Sequence, residues 1–136
     1  MVCSDEIHCG LVLEEGLRHL PFGALDERAA ARSAVLMAPS KTYNVPGLSC
    51  AFAVIPDARL RARFETAMEG IVPHVNALGL AGCEAAYRDC DDWHGELIRY
   101  LRANRDLLEG RVAAMPGLSM AHPEATYLGW IDSREA

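Results

Sequence analysis

The sequence predicts an α/β fold. Three observations carry that expectation: compact apolar runs halted by proline in the first half of the chain, a change to helical spacing after Pro56, and a return to short extended runs after Pro116-Gly117. With 136 residues, 51% apolar and 24% charged, the chain has the size and balance of a folded globular protein that needs no disulfide or metal to build a core.

Taken in order, Val2 to Ser4 reads as the end of a buried strand opening into the polar Asp5-Glu6-Ile7-His8, and Leu11 to Leu13 as extended. Gly16 to Gly23, with Pro21, reads as loop, and Asp26 to Arg32 as a short helix. Ala34 to Ala38 and Cys50 to Ile55 are apolar runs stopped by Pro39 and Pro56, and both are expected to be buried strands. Between them, Pro39 to Ser49 is a polar connection stiffened by two prolines.

Leu60, Phe64, Ala67, Met68 and Ile71 share one face of a helix, with Pro56 suited to its first turn. A second helix is expected over Val75 to Tyr87. A third runs from about Asp92 to Ala114, its acidic start favourable to the helix dipole. Trp93, Tyr100 and Tyr127 fall at spacings expected of core aromatics. Leu118 to Ala121 and Ala125 to Ile131 read as the last two strands.

Composition excludes some functions. A net charge of −6 disfavours nucleic-acid and anionic-membrane partners, both of which need a concentrated basic surface. No apolar stretch approaches the roughly 20 residues that span a bilayer, and Met1 to Glu6 lacks the basic and apolar regions of a secretory leader, so a cytoplasmic location is expected. Cys3, Cys9, Cys50, Cys83 and Cys90 include no C-x-x-C pair, and most are expected to be buried small hydrophobes; their spacings with His8 and His94 suit no tetrahedral metal set.

Of the thirteen lysine and arginine residues, Lys41 is the one lysine. Arginine replaces lysine on a solvated surface but does not readily lose its proton, so it cannot act as a nucleophilic amine. Arginine-rich codon usage would produce the same count, and the context of Lys41 has to decide. That context is the stiff loop between two strands, with Asp5 and His8 upstream at another strand end. Polar groups at strand ends often build sites. An Asp-x-x-His pair alone is more often a turn cap with a locally bonded histidine.

Ser4-Asp5-Glu6-Ile7-His8-Cys9 followed by Ala38-Pro39-Ser40-Lys41-Thr42-Tyr43-Asn44-Val45-Pro46-Gly47-Leu48 resembles the paired signatures of fold-type-I pyridoxal 5′-phosphate (PLP) enzymes of aminotransferase class I/II, nearest the MalY/PatB group of carbon–sulfur β-lyases. Gly70 to Ala77, Trp93 to Asn104 and Ala125 to Asp132 are similar to the same group. The resemblance implies that Lys41 is the Schiff-base lysine, Asp5 the partner of the pyridine nitrogen, His8 the neighbour of the ring's phenolic oxygen and Ser40 a phosphate ligand. Tyr43 and Asn44 would support the loop. Ala38 and Ser49 stand where many aminotransferases have a phosphate-binding serine and arginine, which favours the MalY/PatB branch, while Gly10 replaces that branch's common aspartate.

The implied activity is α,β-elimination on cystathionine or a related cysteine S-conjugate, releasing ammonia, pyruvate and a thiol, or homocysteine; an aminotransferase is the alternative. A small amino-acid substrate and a homodimer are implied as partners. On this resemblance residues 1–72 would form the carboxy-terminal part of the large mixed-sheet domain, 73–115 connecting helices and 116–136 the start of the small α+β domain. The upstream phosphate-binding turn and stacking aromatic, and the downstream substrate-carboxylate arginine, would lie outside the chain. Met1 would then be an alternative or misassigned start, and the chain alone a weak enzyme or a silent fragment that folds with a partner.

Overall fold

In a computed structural model, residues 1–136 form two compact units, one comprising Met1–Cys9 and His19–Cys90, the other Gly10–Arg18 and Asp91–Ala136. The first unit is built on a three-stranded sheet ordered β1 (Val2–Asp5), β2 (Ser33–Met37), β3 (Phe52–Val54). β1 and β2 are parallel, with Val2 opposite Ser33 and Asp5 opposite Leu36; β2 and β3 are antiparallel, with Val35 opposite Val54. The sheet is therefore mixed. Its apolar centre is β2, where Ser33, Ala34 and Val35 are buried.

The short helix α1 (Glu27–Ala30) precedes β2 and is capped by Asp26, whose carboxylate accepts from the Ala29 N–H at 2.7 Å. Helix α2 (Ala58–Met68) starts after Asp57, which accepts from the Leu60 N–H at 2.7 Å. Pro56 thus lies before the cap and outside the first turn where it was expected. Arg61 turns back to donate to the Ile55 carbonyl at 2.7 Å. Helix α3 (Ala77–Asp89) begins two residues later than its apolar pattern suggests because Asn76 is the cap, accepting from the Gly79 N–H at 2.8 Å.

The second unit centres on α4 (Asp91–Ala113), which buries Ile98 and Val112. Leu11 and Leu13 are almost fully enclosed and pack with Ile98, flanked by Leu97 and Leu101. Arg102 donates to the Leu13 carbonyl, and the Leu13 and Glu14 N–H groups both donate to the Glu124 carbonyl. His122 stands between two carboxylates, Nδ1 at 2.7 Å from Glu109 and Nε2 at 2.9 Å from Glu14. The strands β4 (Ser119–Met120) and β5 (Ile131–Asp132) pair antiparallel. No helix is long and apolar enough to cross a membrane.

Several expectations are corrected. The run Cys50 to Ile55 is not a buried strand: only Phe52–Val54 pairs, at the sheet edge, with Phe52 and Val54 exposed. An apolar run reports composition, not whether anything covers the strand. The run Ala125 to Ile131 is not a continuous strand either, since Ala125 makes an isolated bridge to Val12 and Thr126 adopts φ 64°. A left-handed residue ends a ladder. Trp93, Tyr100 and Tyr127 are 45, 65 and 46% exposed and not core, and of the five cysteines only Cys50 is buried.

Candidate functional site

Two parallel strands lying side by side bring their carboxyl ends to one edge of the sheet, the place where open α/β sheets bind ligands. Here those ends are Asp5 and Leu36 to Met37. Beyond Asp5 the ladder continues one step, with the Glu6 N–H donating to the Leu36 carbonyl at 2.9 Å. A tight turn follows, closed by the Cys9 N–H donating to the Glu6 carbonyl at 2.9 Å. Asp5 is exposed, and its Oδ1 accepts from the Ile7 N–H at 3.2 Å; His8 is half-buried in the same turn.

Beyond β2 the chain buries Ala38 and Pro39 and then makes one helical turn. The Tyr43 N–H donates to the Pro39 carbonyl at 2.8 Å and the Val45 N–H to the Ser40 carbonyl at 3.2 Å. That turn leaves Lys41 exposed, Ser40 half-buried and Thr42 buried. Asn44 exits it at φ 54°, in the left-handed region that asparagine tolerates better than most side chains. Residues Pro46–Leu48 form a 3-10 turn ended by Ser49 at φ 50°.

The lysine turn is braced from behind. The Tyr43 ring meets the edge of Tyr87 on α3 at 5.5 Å and 78°, and Tyr87 meets Phe52 on β3 at 6.0 Å and 75°. Such edge-to-face pairs contribute roughly 0.5–1.5 kcal/mol beyond the area they bury. Helix α3 approaches Leu48 closely through Gly79 and Gly82, where a Cβ would collide with Leu48. Asn76 Nδ2 adds a 3.5 Å contact to the Leu48 carbonyl. The expected stiffness of this loop therefore has physical causes beyond its two prolines.

The strands thus carry Asp5 at the end of β1, His8 just after it, and Ser40 and Lys41 after β2, to the same edge of the first unit. Sequence reasoning missed Glu6 and His19. Glu6 is buried, and its carboxylate accepts from Ser4 Oγ at 2.9 Å and the Phe22 N–H at 2.8 Å on Oε1, with His19 Nε2 at 2.6 Å from Oε2. Burial pushes its pKa up, but the bonds from His19, Phe22 and Ser4 together outweigh burial and hold it below the usual glutamate value. No motif spacing links His19 to Glu6, and nothing in the polar stretch Asp5 to His8 marks Glu6 as the buried acid. In the second unit a cavity of about 140 Å³, lined by Leu13, Leu101, Leu108, Tyr127 and Gly129 among others, holds none of the expected site residues.

Residues 1–136 match the family model described as aminotransferase class I and II. Cystathionine beta-lyase PatB of Bacillus subtilis (strain 168) is 38% identical over 133 residues, covering 96% of this chain and 34% of that protein. Protein MalY of Escherichia coli (strain K12) is 32% identical, with 98% and 34% covered. Among solved structures, OvoB superposes with a TM-score of 0.97 at 51% identity, covering 99% of this chain and 36% of that one. Cystalysin from Treponema denticola, whose structure contains a pyridoxal 5′-phosphate cofactor, superposes at 0.90 with 30% identity over 97% of this chain and 34% of that one. The chain spans about a third of the length of the curated relatives it matches.

Proposed function

The chain belongs to the aminotransferase class I and II family, and from that membership we propose that it carries the lysine-bearing part of a PLP-dependent carbon–sulfur β-lyase. The observation that carries the reading is the shared strand edge, with Asp5 ending β1 and the Lys41 turn following the adjacent parallel strand β2. The name of the PatB relative supports lyase chemistry on cystathionine, and related cysteine S-conjugates extend that reading. Cystalysin's cofactor supports PLP.

The residues present suit that cofactor. Lys41 supplies an exposed primary amine on a main-chain-braced turn, Asp5 an exposed carboxylate, and Ser40 a hydroxyl beside the amine. In this reading Lys41 would hold the cofactor aldehyde, Asp5 would keep the ring nitrogen protonated, His8 would serve the phenolic oxygen and the Ser40 hydroxyl would donate to the phosphate. When bound, PLP supplies the electron sink that makes the substrate Cα–H acidic. The Lys41 amine would be the general base placed to take the substrate Cα proton. The outcome of such chemistry would be loss of the Cβ substituent as a thiolate, the sulfur keeping the C–S electron pair. The substrate is a small amino acid, and the assembly is a homodimer.

The test is to incubate the chain with PLP, reduce with borohydride and map the added mass. Expected is a single adduct on Lys41, lost in Lys41→Ala; no adduct, or one elsewhere, refutes the assignment. Pyruvate released from cystathionine without a keto acid separates the lyase from a transaminase, which would require the acceptor.

A further inference from the structure

We infer that Glu6 is the positioning residue of this site, acting through Ile7 on the Asp5 carboxylate; the inference rests on the proposed PLP reading for its functional consequence and on geometry alone for its structural one. Neighbouring side chains at a strand end point to opposite sides. Asp5 is exposed, whereas Glu6 is 5% exposed, so the two adjacent acids face different surroundings.

A buried carboxylate is costly unless donors surround it, and apolar packing often holds a loop as well as a buried ion pair does. What an ionised Glu6 adds is direction. Its side chain is fixed by Ser4, the Phe22 N–H and His19, and its main chain is fixed at both ends, to Leu36 by its N–H and to Cys9 by its carbonyl. Glu6 is thereby held between Asp5 and Ile7, and the Ile7 N–H is the group that Asp5 Oδ1 accepts from. The path runs from Glu6 to the Ile7 amide to the Asp5 carboxylate. The same residue sets the turn that bears His8.

Glu6 touches neither substrate nor cofactor in this account. Its loss should loosen the turn at residues 6–9 and let the Asp5 carboxylate swing, lowering the affinity of the chain for PLP. Glu6→Gln keeps an oxygen for Ser4 and Phe22 and should restore most of what Glu6→Ala removes.

The test uses the wild-type chain, Glu6→Ala, Glu6→Gln and, as a control for general destabilisation, Leu13→Ala, whose side chain packs in the other unit. In the cofactor-free chain, hydrogen exchange at the Glu6 and Cys9 amides should quicken about tenfold or more in Glu6→Ala relative to Leu13→Ala, with Glu6→Gln near wild type. Unchanged exchange at those amides overturns the inference, whether or not PLP binds. With PLP, the visible cofactor band and the borohydride adduct at Lys41 should require about tenfold more cofactor in Glu6→Ala. A wild-type chain that takes PLP at Lys41 while Glu6→Ala takes it equally well refutes the positioning role and leaves the proposed function standing. A wild-type chain that takes none refutes the proposed function, and exchange alone then decides on Glu6. If Glu6→Ala does not fold, His19→Ala replaces it in both arms, removing only the partner of Oε2.

Discussion

Exchanging Gly79 and Gly82 for alanine, one at a time, probes how α3 braces the lysine turn. A Cβ at Gly79 would lie 2.6 Å from the Leu48 carbonyl oxygen and 3.0 Å from Val75 Cγ1, whereas at Gly82 it would meet Leu48 Cδ1. The first obstacle is main chain and yields only if the 46–48 turn moves. The second is the free end of a side chain, which can rotate aside. Both positions are helical, so alanine brings about 1 kcal/mol of helix propensity at either, while overpacking against an unyielding group costs about 1–3 kcal/mol. A main-chain oxygen at 2.6 Å places Gly79→Ala in the upper part of that range, about 2–3 kcal/mol, so it should lose on the order of 1–2 kcal/mol net, while Gly82→Ala should lie between neutral and about 1 kcal/mol more stable than wild type. Urea unfolding followed by far-ultraviolet circular dichroism measures both, and hydrogen exchange at the Tyr43 and Val45 amides should rise in Gly79→Ala alone. A Gly79→Ala chain as stable as wild type, or a Gly82→Ala chain that is the weaker of the two, refutes the account of the brace.

In the second unit, Leu13→Ala removes a side chain that is 2% exposed and should cost about 2–5 kcal/mol in the same urea experiment. His122 has its pKa raised from 6.5, first by its bond to Glu14 and then by that to Glu109, against smaller opposing effects of desolvation and of Arg105. A raised value means its contribution is fully present below pH 6.5 and fades as pH rises through the folded pKa, so stability should fall over that window and the slope should vanish in His122→Gln. Asp57→Ala removes the cap of α2 and should cost about 1 kcal/mol, seen as a lower urea midpoint without a change of slope.

How much was legible in the sequence differs by element. The long α4 and the strand β2 were read nearly to their ends because periodicity and an uninterrupted apolar run are strong local signals. Helix starts slipped by a residue or two at Pro56 and Val75 because side-chain caps, Asp57 and Asn76, set the boundary and apolar spacing does not. Burial was the weakest reading, as Phe52, Val54 and Trp93 show, since exposure depends on what else packs nearby. At the site, Asp5, His8, Ser40 and Lys41 stood out through a family signature. Glu6 was passed over because its partners Ser4, His19 and Phe22 converge only in three dimensions.

The excursion of residues 10–18 into the second unit bears on how the chain is made. Leu11 and Leu13 are made well before Ile98 and Leu101, against which they pack. At about 5–20 residues per second the interval is on the order of 5–15 s. During that interval the two leucines lack the helix that covers them, while every strand and helix of the first unit is made. Order of synthesis therefore means that the core of the second unit can close only once α4 has been made.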